Sequence, residues 1–189
     1  MIDKRDEGFI YAGAVQNRVM RRVLLLVFSM FLCGCTGVPE GIEPVRGFEL
    51  DRYLGKWYEI ARLDHSFERG LTRVTAEYSL REDGGIRVVN SGYSAEDNEW
   101  SSAEGRGYFV RSTEEGYLKV SFFGPFYGSY VIFELGEDYE YSMVTSSDRS
   151  YLWLLSRTPT IDETVVDLFL KNSKAFGFDT DKLIFVDQE

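Results

Sequence analysis

The sequence predicts an all-β fold: an eight-stranded antiparallel up-and-down barrel followed by one C-terminal helix and a short final strand. Three observations support this prediction. The chain of 189 residues is 44% hydrophobic and 15% aromatic, which suits one domain, and aromatic residues favour the half-buried faces of sheets. From Leu50 onward, short alternating segments are separated by turn residues about every 8–12 positions. After Arg157 the hydrophobic period changes from that of a strand to that of a helix.

The N-terminal part of the chain is predicted to be an export signal rather than part of the fold. Residues 1–19 are polar and are interpreted as a start codon assigned too early, or as an extension. In residues 20–34, two arginines precede an apolar run of about ten residues, which suits a signal peptide and is too short for a membrane span of about 20 residues. This segment is therefore expected to be absent from the mature protein.

The apolar run ends in Leu32-Cys33-Gly34-Cys35, which resembles a lipobox. In that motif the last cysteine carries diacylglycerol and becomes the first residue after cleavage. We therefore predict lipidation of Cys35, followed by a lipidated tether over residues 35–47 that is rich in Gly and Pro. Multiple acylation gives durable anchoring, and Thr36 in place of aspartate favours the outer membrane, on its periplasmic side, by resemblance to Gram-negative lipoproteins. A plain secretory signal with an incidental Cys35 is the alternative.

The predicted folded domain covers residues 48–189. Its eight predicted strands are joined by short turns and span residues 57–61, 74–80, 86–91, 105–111, 117–123, 130–135, 139–145 and 151–157. Short loops impose antiparallel neighbours, and eight strands close around a space that fits one small ligand.

One helix of about 16 residues is predicted after the strands, because apolar residues from Ile161 to Phe169 share a helical face. Thr160 and Glu163 have the spacing of a capping box, and Gly177 suits the helix end. Residues 183–186 are predicted to be the final strand.

Composition and residue counts exclude several function classes. The net charge is −10 and the cations are dispersed, so nucleic acid is not an expected partner. With two cysteines near the N-terminus and one histidine, the chain lacks the ligands of a Cys/His zinc site. His65 is interpreted as a surface loop residue, and Glu59 and Glu77 do not form a recognisable acid/base pair. No catalytic residue, metal site or cofactor is predicted, and the protein is not expected to be an enzyme.

Two short motifs carry a family resemblance. Gly55-Lys56-Trp57 resembles the Gly-x-Trp motif of lipocalins, and Arg157, just before the helix, matches the arginine of that family. The resemblance implies that Arg157 lies over the ring of Trp57 at the closed end of the barrel, with a cation–π contact and hydrogen bonds to loop carbonyls. Gly55, Trp57 and Arg157 are thus expected to be structural. The family's middle motif, Thr-Asp-Tyr, is partly matched by residues 145–148.

A closer resemblance is to bacterial lipocalins, which are similar to apolipoprotein D. It is carried, in order, by residues 55–62, 67–70, 120–126 and 151–159, behind the lipobox. It implies an outer-membrane lipoprotein that binds fatty acids or lysophospholipids and stores or transports lipid in envelope maintenance. A homodimer is compatible with the resemblance, and the sequence does not decide between monomer and dimer.

Four aromatic residues are predicted to bind the ligand. Tyr151 and Trp153 share the parity of Arg157 on the eighth strand, so they are expected inside the barrel above its closed end; alternatively, Trp153 fills an outer seam against the helix. Tyr130 and Phe126 belong to an aromatic cluster around Gly124-Pro125, which lines the barrel mouth or forms an interface. The main functional alternative to a lipid carrier is an anchored structural or interaction module whose barrel is filled by its own side chains.

Overall fold

The computed structural model describes residues 36–189. The predictions for residues 1–34 and for Cys35 lie outside the described residues. The elements are α1 (Leu50–Tyr53), β1 (Gly55–Leu63), β2 (Leu71–Leu80), β3 (Ile86–Ser94), β4 (Glu99–Phe109), β5 (Tyr117–Ser121), β6 (Gly128–Leu135), β7 (Tyr141–Thr145), β8 (Leu152–Ser156), α2 (Glu163–Ala175), a 3-10 turn (Thr180–Lys182) and β9 (Leu183–Phe185). No helix within residues 36–189 has the length and apolar character needed to cross a bilayer.

The eight main strands form a closed antiparallel barrel, which confirms the predicted fold class. Each strand pairs with the next along the chain, and β1 pairs with both β2 and β8 to close the ring. Strand β9 adds to the last part of β1, where β1 and β2 diverge. The side-chain amide of Gln188 bridges this gap, donating to the carbonyls of Glu59 (2.7 Å) and Val74 (3.0 Å).

Because consecutive strands alternate in direction, the loops collect at two ends of the barrel. We call the end that carries α1 and loops 81–85, 110–116 and 136–140 the floor. We call the opposite end, with loops 64–70, 95–98, 122–127 and 146–151, the mouth. Strand β1 therefore begins at the floor with Gly55 and ends at the mouth with Leu63.

Two apolar clusters flank the barrel wall because side chains alternate along each strand. On β8, Leu152 and Leu154 face outward and pack with Phe169 of α2, whereas Leu155 faces inward. The inner cluster consists of Phe48, Tyr53, Trp57, Ala76, Tyr78, Ile86, Val88, Leu118, Ile132, Tyr139, Val144 and Leu155. Helix α2 therefore covers the outside of the wall, and the inner cluster fills the lower part of the barrel.

Helix α2 begins two residues later than the predicted cap implies. Its N-cap is Asp162, whose carboxylate accepts a hydrogen bond from the backbone N–H of Thr164 (2.8 Å), so the capping role predicted for Thr160 is wrong. Asp is the stronger acceptor for the orphan N–H groups at the positive end of the helix dipole. Gly177, with φ of +79°, follows the helix, and its N–H bonds the carbonyl of Lys174 (3.1 Å).

The segment before α1 packs along the outside of the barrel. The carbonyl of Gly37 accepts a hydrogen bond from Ser129 at the mouth end of β6 (2.6 Å). The N–H of Val45 bonds the carbonyl of Ile132 (2.9 Å), and the N–H of Phe48 bonds Glu114 at the floor (3.0 Å). The residues predicted to be a tether are thus held against the wall by backbone hydrogen bonds, and they run from mouth to floor.

Candidate ligand-binding site

The floor is closed by Trp57 and Arg157. Trp57 is fully buried, and its indole N–H donates to the carbonyl of Tyr53 in α1 (2.8 Å). The guanidinium carbon of Arg157 lies 3.9 Å from the centroid of the Trp57 ring. A cation at this distance over an indole face is attracted by the ring quadrupole.

The guanidinium of Arg157 also joins several floor segments by donating to four carbonyls. The acceptors are those of Arg52 (2.5 Å), Leu54 (3.0 Å), Lys56 (3.0 Å) and Tyr139 (3.3 Å). Partial burial lowers the pKa of Arg157, but arginine remains charged in proteins. One planar cation therefore binds α1, the start of β1 and the β6–β7 loop together.

The assignment of the middle motif to residues 145–148 is wrong. Those residues lie at the mouth end, between β7 and β8. The floor loop that contacts Arg157 is the β6–β7 loop, which carries Asp138-Tyr139. Tyr139 takes a left-handed φ of +59° there. Spacing along the sequence did not reveal which turn lies next to the arginine.

Above the floor, the buried Tyr53 and Tyr78 and the partly buried Tyr130 form a hydrogen-bonded group. The hydroxyl of Tyr130 lies 2.8 Å from that of Tyr53 and 2.7 Å from that of Tyr78, and Tyr53 also contacts the hydroxyl of Ser142 (3.1 Å). Burial raises the pKa of Tyr53 to about 12 and the pKa values of Tyr78 and Tyr130 well above their ordinary value. All three are therefore neutral hydroxyls that satisfy each other inside an apolar wall.

These tyrosines border a small internal cavity of about 10 Å³. Its walls are almost entirely apolar and consist of Phe48, Leu50, Tyr53, Tyr78, Ile86, Val88, Gly107, Leu118, Val120 and Tyr130. A cavity of this volume holds about one water molecule. The lower barrel is therefore closely packed in this structure.

A β-bulge in β1 brings two charged residues onto the inner face of the wall. In a regular strand Glu59 and Arg62, three positions apart, would point to opposite faces. The register of β1 against β8 shifts between Glu59 and Ala61, so that Glu59 pairs with Leu155 and Arg62 with Trp153. Both charged side chains are buried, and Nη1 of Arg62 lies 2.6 Å from Oε1 of Glu59.

The β1–β2 loop completes this polar cluster with His65 and Glu68. Nη2 of Arg62 donates to the backbone carbonyl of Glu68 (2.8 Å), and the indole N–H of Trp153 donates to Oε2 of Glu68 (3.1 Å). Nε2 of His65 lies 2.9 Å from the same carboxylate oxygen, within the distance of an ion pair. We call Glu59, Arg62, His65, Glu68 and Trp153 the mouth cluster.

The pKa values of the two carboxyls in the mouth cluster are shifted in opposite directions. Burial, and then the charge of Glu68, raise the pKa of Glu59 well above its usual value, although Arg62 opposes this shift. Burial alone would raise the pKa of Glu68 too, but the contact and charge of His65 and the hydrogen bond from Trp153 outweigh it, and the pKa is lowered. The environment therefore favours the neutral form of Glu59 and the ionised form of Glu68.

Aromatic rings cover the mouth cluster. The ring of His65 lies 4.2 Å from that of Phe67, 5.3 Å from that of Trp153 and 5.5 Å from that of Tyr151, between centroids. Tyr151 and Trp153 stack at 5.7 Å. Within residues 36–189, no three acidic, histidine or cysteine side chains converge as metal ligands would.

Comparison with known proteins assigns the family. Residues 48–188 match the model of the lipocalin-like domain. The chain belongs to the lipocalin family. It is 60% identical over 171 residues to the outer membrane lipoprotein Blc of Vibrio cholerae, covering 90% of this chain and all of that protein. It is 48% identical to Blc of Escherichia coli over 85% of this chain and 91% of that protein, and 35% identical to apolipoprotein D of Macaca fascicularis over 88% and 96%.

Solved lipocalin structures share the fold of this chain. Insecticyanin from Manduca sexta superposes with a TM-score of 0.64 at 23% identity, over 80% of this chain and 86% of that structure. At that identity the likeness establishes the fold alone.

Within this lipocalin, the predicted ligand-binding residues separate into two groups. Trp153 and Tyr130 pack against the inner cluster, and Tyr151 stacks on Trp153 at the mouth. Phe126 is not brought together with them, because its side chain is 67% exposed in the β5–β6 loop. The alternative that placed Trp153 in the outer seam does not fit its hydrogen bond to Glu68.

Sequence reasoning missed the charged half of this region. The surface position inferred for His65 is wrong, because the residue is buried between Glu68 and three aromatic rings. Arg62 and Glu59 were not recognised as partners because their spacing is correct only with a bulge. The sequence did contain one indication of this pair: Glu59 and Arg62 are the charged residues in an otherwise apolar strand, Trp57 to Leu63.

Proposed function

We propose that this protein is an outer-membrane lipoprotein, anchored through lipidated Cys35, that holds the acyl chain of a fatty acid or lysophospholipid inside its barrel. Its role is to store or transport lipid for maintenance of the cell envelope. No step of bond making or breaking is part of this proposal. The names of the relatives in Vibrio cholerae and Escherichia coli support the anchoring and the location.

The observation that carries the proposal is the division of the barrel interior into an apolar half and a polar half. Within residues 36–189, the lower half is lined by apolar and neutral aromatic side chains. The charged side chains that are buried in the upper half extend from the middle of β1 to the mouth and are those of Glu59, Arg62 and Glu68. A single-chain lipid has the same division, with an apolar tail and a polar head. Ligand sites of this kind use an apolar wall with a few polar groups that set orientation.

The mouth cluster offers a donor to the polar end of such a ligand. Nε of Arg62 is buried and has no hydrogen-bond partner among the described residues. An unpartnered buried donor costs about 1–3 kcal/mol, so an acceptor that reaches this atom stabilises the complex. The carboxylate of a fatty acid or the phosphate of a lysophospholipid is such an acceptor.

The tight packing of the lower barrel favours a second candidate. A cavity of about 10 Å³ does not admit an acyl chain unless side chains such as Leu50 and Val120 move. If they do not move, the protein is an anchored structural or interaction module with a filled barrel. The two candidates differ in whether apolar ligand is bound.

Co-purification separates the two candidates. The mature lipoprotein is purified from membranes, the acyl-free chain of residues 36–189 is purified in parallel, and both are extracted with organic solvent for mass spectrometry. The carrier proposal expects fatty acid or lysophospholipid at near-stoichiometric amount in the extract of the acyl-free chain. An extract without lipid from a folded protein would favour the filled barrel. Intact-mass analysis of the lipoprotein tests acylation of Cys35 separately.

A further inference from the structure

We propose that the barrel mouth faces and contacts the phospholipid leaflet that holds the anchor, so that lipid passes between the leaflet and the barrel without crossing water. This inference rests on the proposed acylation of Cys35 and on the proposed lipid binding. It adds an orientation and a contact surface, which neither of those proposals contains.

The first support is where the described chain begins. Gly37 is bonded to Ser129 at the mouth end of β6, and a methyl group placed on it would lie 3.8 Å from Cβ of Ser147 in the β7–β8 loop. Two residues of extended chain span at most about 7 Å, so an anchor proposed at position 35 is tethered within that reach of Gly37. The floor lies a whole strand away, about 30 Å for nine residues.

The segment between Gly37 and α1 keeps Gly37 at the mouth. Between Gly37 and α1, backbone hydrogen bonds at Val45 and Phe48 hold the chain on the barrel wall, and Ile42 is buried against it. For the floor to reach the membrane, this segment would have to leave the wall and expose Ile42 and Phe48. The anchor therefore fixes the mouth, and not the floor, near the bilayer.

The second support is the distribution of exposed aromatic side chains. Four large aromatic residues in or beside the mouth loops are more than half exposed: Phe67 (57%), Trp100 (58%), Phe123 (80%) and Phe126 (67%). Aromatic side chains settle at membrane–water interfaces, where one part of the ring system is apolar and the surroundings are polar. Phe123 and Phe126 lie in the β5–β6 loop, which leads directly into Ser129, the partner of Gly37.

Charge complementarity selects the side of the mouth that lies closest to the leaflet. Beneath the β5–β6 loop, Arg106 and Lys119 stand over the ring of Tyr127, at 5.9 Å and 5.2 Å from its centroid. Cations near the surface are attracted by anionic phospholipids, by about 1 kcal/mol each. The neighbouring β3–β4 loop at the mouth carries Glu96 and Asp97, which anionic headgroups repel. The contact is therefore tilted towards the β5–β6 loop.

Depth measurement tests this orientation in the full-length acylated protein. After processing and acylation at Cys35, the sequence contains no free cysteine, so a new cysteine gives a unique label site. Phe123→Cys at the mouth is matched with Leu80→Cys at the floor, which is 57% exposed. Both are labelled with a fluorophore in vesicles of phosphatidylethanolamine and phosphatidylglycerol (about 3:1) that contain a nitroxide headgroup lipid. We expect at least threefold stronger quenching at position 123; equal quenching, or stronger quenching at position 80, overturns the proposal.

A second pair of cysteine variants controls for a local effect of the label at either position. Phe126→Cys at the mouth and Val110→Cys at the floor repeat the comparison, and the same ranking is expected. A mouth-to-mouth homodimer is the competing occupant of this surface. Spin labels at position 123 of two copies within about 30 Å of each other, combined with no quenching by lipid, would establish that dimer and overturn the membrane contact.

The result for the orientation can be distinguished from the result for lipid binding. The labelled proteins are also titrated with lysophosphatidylethanolamine. Binding without mouth quenching refutes the orientation and leaves the carrier intact. Mouth quenching without binding supports the orientation and refutes the carrier, and a chain without an acyl group overturns the orientation together with the anchor.

Discussion

Glu59 and Arg62 are an unusual pair because both are buried inside a barrel whose other inner residues are mostly apolar. Their contact of 2.6 Å compensates part of the cost of removing two charges from water. Burial and the charge of Glu68 raise the pKa of Glu59, which shows that part of this cost remains when Glu59 is ionised. Removing one member leaves the other buried and unpaired, which typically costs 3–5 kcal/mol. The pair is therefore sensitive to pH as well as to mutation.

Glu59→Gln is expected to change the pH dependence of stability. A raised pKa favours the folded state below the ordinary value of about 4.5, and that contribution is lost as pH rises through the folded-state value. The variant cannot ionise, so its free energy of unfolding should rise relative to wild type as pH increases above 4.5. Urea unfolding between pH 4.5 and 8 measures this difference.

The control is Glu77→Gln, which removes an exposed carboxylate from the outer face of β2. If only Glu59→Gln shows the pH-dependent rise in the free energy of unfolding, the effect comes from the buried position and not from the loss of a charge. A constant or falling difference for Glu59→Gln would contradict a raised pKa. Glu68 has the opposite effect on the pH dependence of stability. Because its pKa is lowered, it stabilises the folded protein above about pH 4.5, and this stabilisation is lost as pH falls.

Arg157→Met is expected to destabilise the protein by roughly 3 kcal/mol, because it removes the contact with Trp57 and the hydrogen bonds to four carbonyls. Arg157→Lys keeps the charge but not the planar donor geometry, so its loss should be smaller yet measurable. Chemical denaturation gives both values. A loss for Arg157→Met within about 0.5 kcal/mol of wild type, the range of ordinary surface changes, would mean that the floor does not depend on this residue.

At this scale, the sequence was informative about residues with one dominant partner. The resemblance to lipocalin motifs predicted the contact of Trp57 with Arg157 at the floor. Strand parity predicted an inward position for Trp153 and Tyr151, and their role in ligand binding stays a prediction. His65, Glu59 and Arg62 escaped because their positions depend on a bulge and on the fold of a loop. Phe126 was grouped with Tyr130 by proximity in sequence, whereas the turn between them places one outside and one inside.

Among the elements, those defined by hydrophobic alternation were predicted well. All eight barrel strands and α2 were identified, because each has one face that must be buried. The first half of β4 was missed: residues 99–104 are exposed on both faces and carry no alternation, yet they pair with β3 through backbone hydrogen bonds. Helix α1 has only four residues and was missed because so short a segment has no period.

The N-cap of α2 provides a test at the level of one element. Asp162→Ala should lower the free energy of unfolding by about 1 kcal/mol, because the N–H of Thr164 loses its acceptor. Thr160→Ala, at the position that spacing alone suggested, should change it by less than half as much. Thermal unfolding of the two variants decides between the caps. The reverse ranking would restore the capping box to Thr160.

For the molecule as a whole, polarity is arranged along the barrel axis. The floor is sealed by Trp57 and Arg157, and apolar side chains with neutral tyrosines lie above it. Among residues 36–189, the buried charged residues Glu59, Arg62 and Glu68 lie between the middle of the barrel and the mouth. Gly37 is hydrogen-bonded at the mouth. An amphipathic ligand that enters tail first would match this order. Lipid binding inside the barrel therefore requires the tightly packed middle to open and accept an acyl chain.

The most direct test is a titration of the acyl-free, delipidated chain of residues 36–189 with lysophospholipid and with fatty acid, followed by tryptophan fluorescence. Trp153 belongs to the mouth cluster, whereas Trp100 is 58% exposed on the outside of the barrel. We expect a saturable change in fluorescence that Trp153→Phe abolishes and Trp100→Phe retains. A flat titration of the folded protein, or a response that follows Trp100, would contradict an internal lipid site and would leave the anchored module with a filled barrel as the function.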